Sequence, residues 1–213
     1  QAGIPTAGAA MVDGSGLSTQ DRVPAQLLAA LVAEGHDVLA LCVDHRLQEG
    51  SRAQAERAAE QARELGARAR VLSVEADGAG PESMEAAARV ARYRALAAAS
   101  AAEELEVAVA HTADDQAETL LLGALRGRVT GMNERSEVEG ARVVRPLLGV
   151  RRADTEGACA ELGLSAWKDP QNADTNFRRV ALRREVIPQL SRIIGGDAVP
   201  ALAQAARDAA LDE

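Results

Sequence analysis

Aromatic residues are almost missing from this chain: among 213 residues there is one Trp, one Tyr and one Phe. The 47% hydrophobic fraction is therefore mostly Ala, Val and Leu, and any core must be packed by aliphatic side chains. Cysteine is equally scarce. Cys42 and Cys159 stand alone, with no CxxC and no metal-ligand spacing, which argues against a disulfide framework and leaves a structural zinc site unsupported. Two isolated thiols make a reduced, cytoplasmic setting the simplest expectation. No apolar run approaches the length of a membrane span, and QAGIPTAGAAMVDGSG has no basic start followed by an apolar core, so neither a membrane partner nor a secretory signal is expected. Lysine occurs once, at Lys168; every other cation is arginine.

The net charge of −8 argues against nucleic acid binding over the whole surface. The charge is uneven, however, since arginines gather between Arg142 and Arg192 where acids are fewer. The length suits one substantial domain, or one domain with a short appendage.

VLALCV (Val38–Val43) is a short continuous apolar run with β-branched residues, the pattern of a buried parallel strand. Ser51 opens a charged, Ala-rich helix that Gly66 closes. ARVLSV (69–74) is a second strand, ESMEAAARVARYRALAAASAAEEL (82–105) a long helix, VAVAH (107–111) a third strand, and Asp114–Leu125 a helix. Upstream, AGAAMV (7–12) is a further strand candidate and Pro24–Gly35 a helix with proline in its first turn. This alternation predicts an α/β fold, a doubly wound, mostly parallel sheet, with a short C-terminal helical segment. RGRVTGMNERSEVEG (126–140) is expected to be a polar, weakly ordered loop. VVRPLL and a helix over 151–162 continue the pattern. The chain from Val180 is expected to be helical, with a break at Pro188 and a turn at Gly195-Gly196.

In an open parallel sheet, ligands sit beyond the carboxyl ends of the strands. Asp44 and His45 follow one strand directly, and HTADDQAET (His111–Thr119) follows another, so both are expected at one crevice. Asp114 fits helix-dipole and capping duty. Asp115 and Glu118, three apart, share a face with His111 one turn before. Two such carboxylates can hold an ammonium group, take its proton, or bind magnesium.

These residues sit in blocks with a recognisable order. AHTADDQAETLLLGALRG, VDHRLQEGS, EAAARVARYRAL, RPLLGVRRADT and WKDPQNADTNFRRVALRREVIPQL resemble the tRNA(Ile)-lysidine synthetase family of PP-loop ATP pyrophosphatases, over roughly residues 38–190. The resemblance implies an adenine nucleotide alpha hydrolase-like PP-loop fold. It also implies a two-step reaction, in which ATP adenylates the wobble cytidine of an isoleucine tRNA with a CAU anticodon and free L-lysine then displaces AMP. On this resemblance ATP and magnesium are the expected cofactors, and a homodimer is left open. Asp115 and Glu118 are expected to bind and deprotonate the lysine ammonium. His111 would shuttle protons or merely pack at the strand end. Arg89 and Arg92 would stabilise phosphate charge, or form a solvated helix face. Asp44 is expected to contact the nucleotide or a metal, and His45 the nucleotide. Arg178, Arg179, Arg183 and Arg184 are expected to contact tRNA phosphates. Trp167 and Phe177 would stack on a base or anchor the core.

One block departs from the family. Its members carry SGGxDS between the first strand and first helix, where backbone amides cradle pyrophosphate. Here the nearest material is DGSGLSTQDR (13–22). GSGLST keeps one glycine and exchanges the acid for Ser18, and neither SGLSTQ nor STQDRV preserves more. Ser15, Gly16, Ser18 and Thr19 are the candidates in that loop. Two other readings remain open: another PP-loop tRNA-modifying enzyme such as a thiolase, disfavoured by the missing CxxC, and a non-catalytic tRNA- or nucleotide-binding relative. The expected divisions are a PP-loop domain over 1–150, the remainder of the catalytic domain with its arginine-rich helix over 151–190, and a helical extension over 191–213.

Overall fold

A computed structural model of the chain describes residues 9–13, 24–46, 50–75, 81–163 and 175–211. Its elements run β1 (Ala9–Asp13), α1 (Pro24–Ala33), β2 (Val38–Asp44), α2 (Ser51–Glu64), β3 (Arg68–Ser73), α3 (Pro81–Ala101), β4 (Glu106–Ala108), α4 (Ala113–Ala124), β5 (Arg135–Val138) and β6 (Ala141–Val144). They continue with α5 (Arg152–Glu161), α6 (Arg178–Ala181), a π-helical turn (Leu182–Val186), α7 (Ile187–Ile194) and α8 (Val199–Leu211).

The strands form one sheet in the order β3-β2-β1-β4-β6-β5. All neighbours are parallel except β5 and β6. β2 is buried along its whole length, as a continuous apolar run requires when both faces are covered. The period of two divides its side chains. Leu39, Leu41 and Val43 join Val107 and Val143 against Tyr93 and Leu96 of α3. Val38 and Ala40 join Ala108 and Val144 against Leu27, Leu28 and Leu31 of α1. Helices thus cover both faces, giving the expected doubly wound sheet. A third cluster joins Ala113 and Ala117 of α4 to Ile187, Val199 and Ala203, which seats α7 and α8 on α4. Gly66 closes α2 as expected, two residues past Glu64 at φ 91°, with the N–H groups of Gly66 and Ala67 donating back to Arg63 and Ala62 carbonyls.

Four local expectations change. The segment 126–140 is not all loop: Arg135–Val138 pairs antiparallel with β6 through a two-residue turn. Glu139 (φ 49°) and Gly140 (φ 82°) both take left-handed conformations there, the geometry a tight hairpin needs. The strand expected over 107–111 is shorter, ending at Ala108, although Val109 N still donates to Val144 O at 2.9 Å. The helix expected to run to Leu105 stops at Ala101, and Glu104 turns the chain at φ 57°. Pro188 does not break the last helical stretch. The π-helical turn at Leu182–Val186 precedes it and brings the proline into the first turn of α7, where its missing N–H is harmless.

Candidate active site

β1 lies between β2 and β4, so the chain winds outward through β2 and β3 and then returns across β1 to β4. This reversal opens a crevice beyond the carboxyl ends of β1 and β4. Three described strands deliver polar residues to that rim: Asp44 at the end of β2 and His45 just after it, His111 after β4, and Arg145 directly after β6. All four are buried, with exposures of 2%, 5%, 5% and 4%.

The turn from β4 into α4 is held by its own side chains. Thr112 is the N-cap, and its N–H and hydroxyl both donate to Asp115 Oδ2, at 2.8 and 2.7 Å. Asp115 Oδ1 accepts from Arg152 Nη2 at 3.0 Å. Burial alone would raise this carboxyl. Arg152, His111 and the Thr112 hydrogen bonds outweigh it and hold Asp115 well below the usual carboxylate range. Glu118, one turn further on, is fully buried. It accepts from Arg183 Nε at 2.7 Å and Arg179 Nη1 at 3.4 Å, and lies 3.5 Å from Arg152 Nη1. Burial and the Asp115 charge push Glu118 up, opposed by Arg183, Arg152 and Arg179. The two carboxylates thus share Arg152 but do not stand open in a crevice; arginines from α5, α6 and the π-helical turn cover them.

Asp114 has a separate role. It receives two bonds from the Arg151 guanidinium, both 3.1 Å, and one from Arg152 N at 2.8 Å, so it caps the start of α5. Arg151 also bridges to Asp197 ahead of α8.

At the rim, Asp44 Oδ1 accepts from Arg46 N at 3.0 Å and Ser51 Oγ at 2.6 Å, which shapes the turn into α2. Among the described residues, His45 Nδ1 and Nε2 have no hydrogen-bond partner, and neither do His111 Nδ1 and Arg145 Nε. Burial, reinforced by Arg92, drives His45 down to about 4. Burial also lowers His111; Asp115 opposes, while Arg145, Arg89 and Arg92 add to the fall. Both imidazoles are thus neutral near pH 7 and act as hydrogen-bonding groups. Arg89 and Arg92 of α3 lie over the Tyr93 ring, 4.9 and 5.4 Å from its centre.

The structure therefore brings His45, His111, Arg89 and Arg92 to one rim. It gathers Asp115, Glu118, Arg179 and Arg183 in an adjoining cage. Arg178 and Arg184 are exposed on the same helical stretch, and Phe177 is half-buried before it. Ser15, Gly16, Ser18, Thr19 and Trp167 lie outside the described residues. Sequence reasoning missed Arg145, Arg151 and Arg152 as site residues. The adjacent pair in GVRRADT, just before a helix, was the available signal for the last two.

Among the described residues no helix is long and apolar enough to cross a membrane. None of their His, Cys, Asp and Glu side chains form a group of three or more suited to a metal ion.

The arrangement of sheet and rim is that of a nucleotide-binding α/β module, and residues 22–190 match the model of the PP-loop domain, an ATP-binding family. The chain belongs to that family. It is similar to tRNA(Ile)-lysidine synthases: 54% identical over 186 residues to that of Corynebacterium glutamicum, covering 87% of this chain and 57% of the relative. With the Rhodococcus erythropolis enzyme it shares 50% identity over 181 residues, covering 84% and 54%. The chain thus spans little more than half the length of these relatives. Residues 1–39 also match the model of the D-Ala-D-Ala carboxypeptidase 3 (S13) family. Among solved structures, the U34-tRNA thiolase NcsA from Methanococcus maripaludis, with its [4Fe-4S] cluster, shares the fold at a TM-score of 0.70 and 14% identity, covering 93% of this chain and 72% of that one. NMN synthetase from Francisella tularensis aligns at a TM-score of 0.53 and 14% identity, covering 76% and 63%.

Proposed function

We propose that this chain is the catalytic PP-loop unit of a lysidine-forming ligase. The wobble cytidine carbonyl oxygen of a CAU-anticodon isoleucine tRNA attacks the α-phosphorus of ATP, and pyrophosphate leaves. The ε-amine of free lysine then attacks the activated carbon and AMP departs. The observation that carries this reading is the 54% identity to a named lysidine synthase across the segment holding both the rim and the cage.

The chain's own residues have definite work in that chemistry. A lysine ammonium approaching Asp115 and Glu118 must replace a guanidinium. Exchange of one cation for another keeps the buried carboxylates neutralised throughout, so the lysine site need not pass through an uncompensated buried charge. Glu118, whose burial raises its proton affinity, is the better acceptor for the proton the amine must lose. An arginine released by the exchange, Arg179 or Arg183, is then available to RNA phosphate alongside Arg178 and Arg184. Arg89 and Arg92 oppose the charge on the nucleotide. Magnesium usually keeps several waters and takes only one or two carboxylates beside substrate phosphates, so the donors here fit an ion carried in by the nucleotide better than one caged by protein.

A thiolase reading finds little support, because Cys42 and Cys159 are both buried and have no CxxC spacing. A non-catalytic relative is favoured by one observation. The match to the carboxypeptidase family covers residues 1–39, and so includes β1 and the DGSGLST stretch that replaces SGGxDS. Incubation with ATP, magnesium, radiolabelled lysine and the CAU-anticodon tRNA separates the two. The ligase reading predicts label in the tRNA; a folded sample giving none, and no heat on ATP titration, leaves the non-catalytic relative.

A further inference from the structure

Among the described residues, every buried side-chain nitrogen without a hydrogen-bond partner belongs to His45, His111 or Arg145. These residues follow three strands, β2, β4 and β6, and all lie at the carboxyl rim. Native interiors rarely leave such atoms unpaired, and three such residues at one rim point to a ligand rather than to a packing fault.

Arg145 is the most informative of the three. Its Nη1 donates to Asn133 O and Ser136 Oγ, both at 2.8 Å, which fixes the guanidinium plane. No carboxylate among the described residues lies within ion-pair distance of it, although it is only 4% exposed. The parallel register sets Val144 beside Ala108, and Val109 N donates to Val144 O, so Arg145 stands alongside the segment that leads to His111. Arg89 and Arg92 approach from α3. The nearby acids are committed elsewhere: Asp44 to Arg46 N and Ser51, Asp115 to Thr112 and Arg152. A buried, oriented and uncompensated guanidinium beside two further arginines suits an anion with several acceptor oxygens.

We propose that Arg145, with Arg89 and Arg92, forms a phosphate-binding subsite at the carboxyl ends of β4 and β6, with His45 and His111 as its hydrogen-bonding walls. The subsite deepens the ligase reading and rests on its nucleotide use. It supplies phosphate contacts from strand ends and α3, independently of the loop after β1. The same chemistry would accept a phosphate of ATP or one of the RNA backbone.

Calorimetric titration of the whole chain at pH 8 with inorganic pyrophosphate, with ATP, and with a CAU anticodon stem-loop tests this. Arg145→Gln is expected to weaken phosphate binding about tenfold, and Arg145→Lys about threefold, because a point charge lacks the fork. Loss for pyrophosphate and ATP assigns the subsite to the nucleotide, and loss confined to the stem-loop assigns it to RNA; either supports it. Ser136→Ala, which removes one of the two bonds that fix the guanidinium and leaves the charge in place, is expected to weaken binding about twofold to threefold and serves if Arg145→Gln fails to fold. A lowered melting temperature with unchanged affinity for all three probes would show that Arg145 only braces the hairpin. Absence of binding by the unaltered protein also overturns the subsite. Retained pyrophosphate binding without lysine incorporation would instead sink the ligase reading alone.

Discussion

Two clusters of charge flank the β4–α4 turn, and they differ in how far their charges are answered. In the cage, Asp114, Asp115 and Glu118 meet Arg151, Arg152, Arg179 and Arg183, and Glu118 alone touches three guanidiniums. At the rim, a few residues away, His45, His111 and Arg145 are as deeply buried yet keep nitrogens with no partner among the described residues. Paired charge of the first kind ties helices together. Unpaired polar groups of the second kind cost stability in the protein alone and are retained where a ligand answers them. The comparison teaches that the acids which dominate the sequence motif are, in this conformation, structural linchpins, whereas the buried polar groups left without a partner among the described residues belong to less conspicuous neighbours.

The sharpest way to break the comparison is Glu118→Gln. It leaves three guanidiniums around a neutral amide and is expected to cost about 3–5 kcal/mol in urea denaturation. Asp114→Asn, at a partly exposed pair, should cost distinctly less. Similar losses for both would mean that the cage is not organised around Glu118.

Much of this was legible beforehand, and the exceptions have physical causes. VLALCV was readable because a strand covered on both faces must be apolar throughout, and HTADDQAET because a strand-to-helix turn concentrates capping residues. β5 was hidden: four residues with outward-facing Arg135 and Glu137 look like loop until a hairpin turn pairs them. Arg151 and Arg152 meet Asp114 and Asp115 across 37 residues of chain, a pairing no local period encodes. Arg145 opens the RPLLGVRRADT block, but nothing local marked it as buried, since a lone arginine after a short strand is ordinarily solvated. Conversely, the open pair of carboxylates that spacing suggested is closed by arginines that only the tertiary fold delivers.

A smaller effect sharpens the rim. His45 has a folded-state pKa of about 4 against 6.5 for the free side chain, so the unfolded chain takes up its proton first. Its contribution is complete above pH 6.5, and falls away as pH drops toward 4, by at most about 3 kcal/mol. His111 adds in the same direction, whereas Asp115 and Asp114, both depressed, give way only at lower pH. Denaturation midpoints between pH 7.5 and 4.5 should therefore fall less steeply for His45→Gln than for the parent. An unchanged slope would place the acid sensitivity elsewhere.

The claim that the carboxyl rim is where phosphate is met can be read directly from the imidazole NMR resonances during titration with ATP and magnesium. The chain has three histidines. His45 and His111 lie at the rim, and His36, 3.5 Å from Glu34, precedes β2 at the opposite edge of the sheet. The account predicts that the first two shift with the nucleotide while His36 stays still. Binding that leaves His45 and His111 unmoved, or that moves His36 as much as them, would contradict it.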